Sequence, residues 1–145
     1  MKLTSHTDYG LRVLMSLAVL PDRLVTIEEL AGRHRVSKNH LMKVAQSLIH
    51  AGFVEGVRGR NGGLRLLMAP ADIRVGDVVR RLEEDMAIVP CVSDDEEAPC
   101  VLAGACGLTA AMRRALNAFL AELDCVTIAD LTRSRHRITA RLRAA

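Results

Sequence analysis

Residues 26–68 leave the chain little freedom of fold. Thr26-Ile-Glu-Glu29 is a capping-box pattern, in which a hydroxyl and a carboxylate can each satisfy a free backbone amide. It predicts a short helix through about residue 31, with Ile27, Leu30 and Ala31 inward, and then a turn over 32–36. Ser37 caps a second helix running to about residue 51, where Gly52 suits a left-handed stop. Leu41, Val44, Ala45, Leu48 and Ile49 recur at helical spacing and predict its buried stripe. The other face carries Lys38, Asn39, Met42, Lys43 and Gln46, with His40 on the same helix. Two short helices joined by a tight turn, the second exposing cations and amides, form a helix-turn-helix signature. Lysine can reach phosphates or guanine, and Asn and Gln can pair with adenine edges. Met42 can touch a thymine methyl or pack under a wing. His34, His40 and His50 read as surface or DNA-adjacent groups.

Two apolar runs, 53–57 and 64–68, then flank Asn61-Gly62, a dipeptide that favours a tight hairpin turn. The connecting loop carries Arg58, Arg60 and Asn61 beside glycines that allow close approach to a sugar-phosphate surface. Arginine at such a tip suits the narrow minor groove. The fold class is therefore mainly α: a winged helix-turn-helix with a two-stranded β wing and a long C-terminal dimerisation helix.

The flanking sequence fits that frame. A first helix is expected over 7–20, capped by Thr7 or Asp8, with Leu11, Leu14, Met15 and Ala18 inward and Pro21-Asp22 ending it. A further helix is expected over 75–84, with Val75, Val78, Val79 and Leu82 inward. After Cys106, Leu108, Met112, Leu116, Phe119, Leu120 and Leu123 form a broad apolar stripe. A chain this short has little left to cover it, so the stripe predicts a homodimer matched to a two-fold operator. Another turn or two of helix is expected over 126–131, and the Arg-rich tail 133–145 is expected to be mobile or to touch DNA weakly. The chain reads as one subunit in three parts: a DNA-binding winged helix over 1–70, a connecting helix and cysteine loop over 71–106, and the dimerisation helix and tail over 107–145. With one Tyr, two Phe and no Trp, its core is aliphatic, which favours helices.

Residues 91–106 hold three of the four cysteines on an acidic, loop-like segment. Soft thiolates at close spacing hold iron–sulfur clusters or zinc. No charged-then-apolar leader precedes the first helix and no run is long enough to span a membrane, so a cytoplasmic setting is expected. Thiols stay reduced there, and Cys91, Cys100 and Cys106 point to metal or redox chemistry more than to disulfides. Zinc prefers four closed ligands, of which His6 could supply one. Cys125 reads as a small core residue. Charge is segregated: residues 1–70 carry net +5, residues 71–106 net −6 and residues 107–145 net +4. A basic front half is what a phosphate-binding module needs. There is no Walker loop, dinucleotide glycine pattern or catalytic acid–base pair, so an enzyme is not expected.

These features together resemble the winged-helix iron–sulfur repressors of the NsrR family, bacterial nitric-oxide sensors. The likeness covers nearly the whole chain. It rests on Leu3-Thr4, Thr7-Asp8-Tyr9 and Leu11-Arg12, on Val36-Ser-Lys-Asn-His-Leu-Met-Lys43, on Val57-Arg-Gly-Arg-Asn-Gly-Gly63, and on the three cysteines. The resemblance implies a cytoplasmic homodimeric repressor of double-stranded operator DNA, with nitric oxide as effector and one iron–sulfur cluster per subunit held by Cys91, Cys100 and Cys106. The cluster implied is 4Fe–4S in preference to 2Fe–2S. The fourth iron corner falls to Asp8 from a second copy, although Asp8 also reads as a helix cap. The related assembly regulators use a histidine just after the third cysteine, whereas here Gly107, Leu108 and Thr109 come next. Arg12 can hold a phosphate or pair with an acidic neighbour near the cluster. Alternative readings are a same-fold regulator of iron, cluster supply or redox state, and, from other classes, a zinc-stabilised adaptor or an iron–sulfur electron carrier.

Overall fold

The computed structural model describes residues 2–92, 100–102 and 105–144. Helix α1 (Ser5–Val19) starts earlier than the sequence pattern suggests. Thr4 is its cap, the hydroxyl accepting from Thr7 N at 3.3 Å. Thr7 and Asp8 instead lie in the first turn, Thr7 fully buried. The helix is central, touching α3, α4, α6, α7 and the wing. Its deepest face is therefore Val13, Leu14 and Leu17, while Leu11, Met15 and Ala18 pack at the margin.

Helix α2 (Ile27–His34) takes the expected start, with Thr26 Oγ1 accepting from Glu29 N at 3.1 Å. The reciprocal half of the capping box is not made. The Glu29 carboxylate instead binds Arg23, at 2.7 Å to Oε2, and Arg33, at 2.5 Å. The helix also runs a turn further than expected, closing on Arg35 in the left-handed region at φ 54°. Helix α3 (Lys38–His50) is capped by Ser37 Oγ, which accepts from His40 N at 3.2 Å, and is followed by Gly52 at φ 81°. Leu41, Val44, Ala45 and Leu48 are buried as the spacing predicts, but Ile49 is 42% exposed. It lies at the end of the stripe and turns out over the wing, where a Cβ on Gly56 would meet its Cδ1 at 3.0 Å.

Strands β1 (Val54–Val57) and β2 (Gly63–Leu66) pair antiparallel, Val54 opposite Leu66 and Val57 opposite Gly63. That register leaves a five-residue loop, 58–62, in place of a two-residue turn at Asn61-Gly62. The left-handed residue is Gly59, at φ 112°, and Gly62 N donates to Gly59 O at 3.0 Å. Val25 adds an isolated bridge to Leu64, which ties the wing to the segment before α2.

Helix α4 (Val75–Leu82) buries Val75, Val78, Val79 and Leu82 as expected. Helices α5 (Gly107–Asp124), α6 (Ile128–Leu131) and α7 (Arg135–Ala144) complete the chain. Helix α5 has no fully buried residue; it rests on α4 and is pinned there by a two-pronged Arg80–Asp124 pair at 2.7 and 2.6 Å. The Arg-rich tail, expected to be mobile, is the helix α7. It packs on α1 and α2, buries Leu142, and donates from Arg135 Nε to Val19 O at 3.1 Å. One aliphatic cluster of Leu14, Leu30, Leu41, Leu48, Ile73 and Ile128 joins α1, α2, α3 and α6.

Candidate nucleic-acid interface and cysteine segment

Helix α3 presents Lys38, Asn39, Met42, Lys43 and Gln46 to solvent while its opposite stripe is buried. Arg58, Arg60 and Asn61 are exposed on the wing loop. Among the described residues Lys43, Arg58 and Arg60 make no ion pair, so their charge is available to an anion. Lys38 Nζ lies 3.4 Å from Glu28 Oε2, an exposed pair that costs little to exchange for a phosphate.

Two of the three histidines read as surface or DNA-adjacent groups are half-buried. His40 is half-buried and sets its ring edge-on to Tyr9, with centroids 5.2 Å apart. It thus stands at the joint of α1 and α3, with its ring turned to α1. His34 is also half-buried, and its Nε2 lies 2.8 Å from Ser16 Oγ. Desolvation, with Arg12 and Arg33 adding like charge, holds its imidazole below the usual value. His50 is exposed.

The cysteine segment joins α4 to α5. A short 3-10 turn, Pro90–Val92, carries Cys91. The Cys91 side chain and the acidic run at 94–97 lie outside the described residues. Cys100 is exposed, and Cys106 is half-buried at the head of α5, its Sγ accepting from Leu108 N at 3.4 Å. Backbone N–H donation to a sulfur ligand is one lever that tunes iron–sulfur potentials. Among the described residues no three His, Cys, Asp or Glu side chains gather closely enough to hold a metal. In donor chemistry three soft thiols would suit a cluster, and the hard oxygen of a carboxylate such as Asp8 would be a weaker fourth donor. Cys125, expected in the core, is exposed at the end of α5, where its thiol faces Ala121 O at 3.4 Å. Among the described residues its helix is covered mainly along the side that rests on α4.

Asp8 projects from the first turn of α1 and is half-buried. Arg12 grips both its oxygens, Nε to Oδ1 at 3.0 Å and Nη2 to Oδ2 at 2.8 Å, with the guanidinium 5.7 Å from the Tyr9 ring centre. Arg12 therefore takes the acidic neighbour that its sequence position offered.

Contacts that no sequence pattern announced join α1 to its neighbours. Glu83 Oε1 accepts from Thr4 N at 2.8 Å and from Thr4 Oγ1 at 3.1 Å. His6 Nε2 lies 3.0 Å from Ser47 Oγ on α3. Residues 79 and 41 positions apart carry no local signal for one another.

No helix is long and apolar enough, among the described residues, to cross a membrane. The chain is 48% identical over 139 residues to the HTH-type transcriptional regulator NsrR of Bacillus subtilis, covering 95% of this chain and 94% of that protein. It is 45% identical over 139 residues to its namesake in Bacillus licheniformis, covering 95% and 96%. The solved structure of CymR, the global cysteine regulator of B. subtilis, superposes with a TM-score of 0.71 at 28% identity, covering 92% of this chain and 98% of that one. The winged helix-turn-helix architecture is thus shared with known regulators, and this is a regulator of the NsrR type. Residues 3–134 match the Rrf2 family of iron-dependent transcriptional regulators, and the chain belongs to that family.

Proposed function

We propose that the protein is a homodimeric repressor whose iron–sulfur cluster senses nitric oxide and sets its affinity for operator DNA. The observation that carries this reading is the placing of the cysteine segment. It links α4, which packs on α1, to α5, whose apolar stripe α4 covers only in part, and Cys106 is the cap of α5 itself. A group held there would fix the geometry of α1 and α5 together.

Cys91, Cys100 and Cys106 are the residues to hold the cluster, with Asp8 of a second copy as the exchangeable donor. The cluster would supply iron with one weakly held position open to a small diatomic ligand. Arg12 orients Asp8 and shares its charge, so the carboxylate has an alternative partner whenever it leaves the metal. Lys38, Asn39, Met42, Lys43 and Gln46 are assigned to the major groove, with His40 setting the joint to α1 behind them, and Arg58, Arg60 and Asn61 to the adjacent backbone and minor groove. A coupling of about 1–3 kcal/mol between cluster and operator suffices for regulation.

The test is anaerobic purification, iron and sulfide determination, and operator binding with and without nitric oxide. Wild type is expected brown and nitric-oxide responsive, and Cys100→Ala colourless and unresponsive. A colourless Cys100→Ala that regulates normally would sink the reading. Iron or cluster supply is the second candidate signal, favoured by the iron dependence that describes the family. Titrating holo protein with an iron chelator in place of nitric oxide separates the two.

A further inference from the structure

Glu83 stands where the arm to the cysteines leaves α4, directly after Leu82. It begins an acidic run, Glu83-Glu84-Asp85, in which like charges repel. Its carboxylate is nonetheless brought to the head of α1, where Thr4 donates to it through both N and Oγ1 at 2.8 and 3.1 Å. Thr4 is the cap that starts α1. The turn it starts carries Asp8 on its outer side and His6 on its inner side, and His6 binds Ser47 of α3 at 3.0 Å. Below these polar links the packing is tight. A Cβ on Gly10 of α1 would lie 2.4 Å from Leu82 Cδ1 and 3.9 Å from Leu48 Cδ2 of α3. Thr4, His6, Ser47, Leu82 and Glu83 line one groove.

Three elements therefore meet at one point: the root of the cysteine arm, the turn that bears Asp8, and the last turn of the recognition helix α3. A displacement of the arm root pulls on Thr4 through Glu83, and a displacement of the α1 head pulls on Ser47 through His6. Packed contacts of this kind move between discrete arrangements and do not stretch smoothly.

We propose that Glu83 is a positioning residue that couples the state of the cysteine arm to the recognition helix, acting through Thr4 and the His6–Ser47 link. The proposal rests on the cluster-sensing reading and assigns Glu83 no contact with metal or DNA.

The experiment compares operator affinity of anaerobic holo protein with that of chelator-stripped apo protein, for wild type, Glu83→Ala, Ser47→Ala and the double variant. Iron content and visible absorbance are read on the same samples. Glu83→Ala is expected to keep its full cluster while the holo-to-apo affinity ratio falls toward one, a loss of at least about fivefold, the low end of ordinary coupling between sites. Ser47→Ala is expected to lower the ratio likewise, and the double variant to lower it no further than Glu83→Ala alone, as links of one chain do. A full cluster with an unchanged ratio in Glu83→Ala overturns the proposal. Loss of the cluster in that variant also overturns it, because Glu83 then supports the metal site and not the relay. Should Glu83→Ala fail to fold by circular dichroism, Glu83→Gln, which keeps the shape and removes the charge, is held to the same two criteria. Wild-type protein free of iron fails the sensing reading itself, and the proposal with it.

Discussion

His34 is a titratable ring that water only half reaches, set against Ser16 with two guanidinium groups nearby. Its folded-state value lies below the ordinary 6.5, first through desolvation and then through Arg12 and Arg33, with Asp8 opposing them weakly. Below pH 6.5 the unfolded chain therefore binds a proton more readily than the folded one. The contribution of His34 to stability is complete above that pH and declines as pH falls toward the lowered value. Urea midpoints at pH 8 and pH 5 test this. His34→Gln, which retains a polar end for Ser16 without a titrating ring, is expected to lose less stability on acidification than wild type. Equal losses would mean that the ring is solvated. The sequence pattern puts His34 in an open turn because Gly32 resembles a helix stop. Arg35 takes the left-handed conformation instead, so the helix gains a turn and aims the ring at α1.

The wing shows which part of an element its sequence specifies. Two short apolar runs with turn residues between them are enough to predict a hairpin, and Arg58 and Arg60 do lie on its loop. The turn itself differs from the expected one, because Asn61-Gly62 satisfies a two-residue hairpin locally while pairing of Leu64 with Val25 fixes the register from outside. Gly59 and Gly62 then serve different ends. Gly59 needs only its left-handed backbone and has no atom near a Cβ, whereas a Cβ at Gly62 would lie 2.3 Å from Val57 O. Gly62→Ala is expected to destabilise the fold by about 1–3 kcal/mol, the range for overpacking. Gly59→Ala is expected to cost roughly 1–2 kcal/mol, the penalty of a left-handed alanine. Denaturant midpoints check both, and a Gly62→Ala protein as stable as wild type would show that the loop is slack. The helix starts at Thr26 and Ser37 are legible because a cap acts within three residues. Helix α7 is not, since its arginines mask an anchor made only in tertiary contact with α1 and α2.

At the scale of the molecule, the chain covers its winged helix but covers α5 only in part. Leu108 is 48% exposed, and Met112, Leu116, Phe119, Leu120 and Leu123 are only partly covered. Covering each of these would gain on the order of 1 kcal/mol, since full burial of such a side chain is worth about 1.5–3 kcal/mol. Two stripes brought together gain on the order of 10 kcal/mol, to be set against an association cost of roughly 4–15 kcal/mol. An interface so balanced tolerates no buried, unpaired charge. Leu116→Glu is expected to convert a two-chain particle into a single chain by light scattering at micromolar concentration, with the helical circular dichroism signal retained. Operator affinity falls with it, because one recognition helix then meets one half-site. A Leu116→Glu protein that scatters as two chains would remove α5 from the interface and leave its stripe in need of another cover.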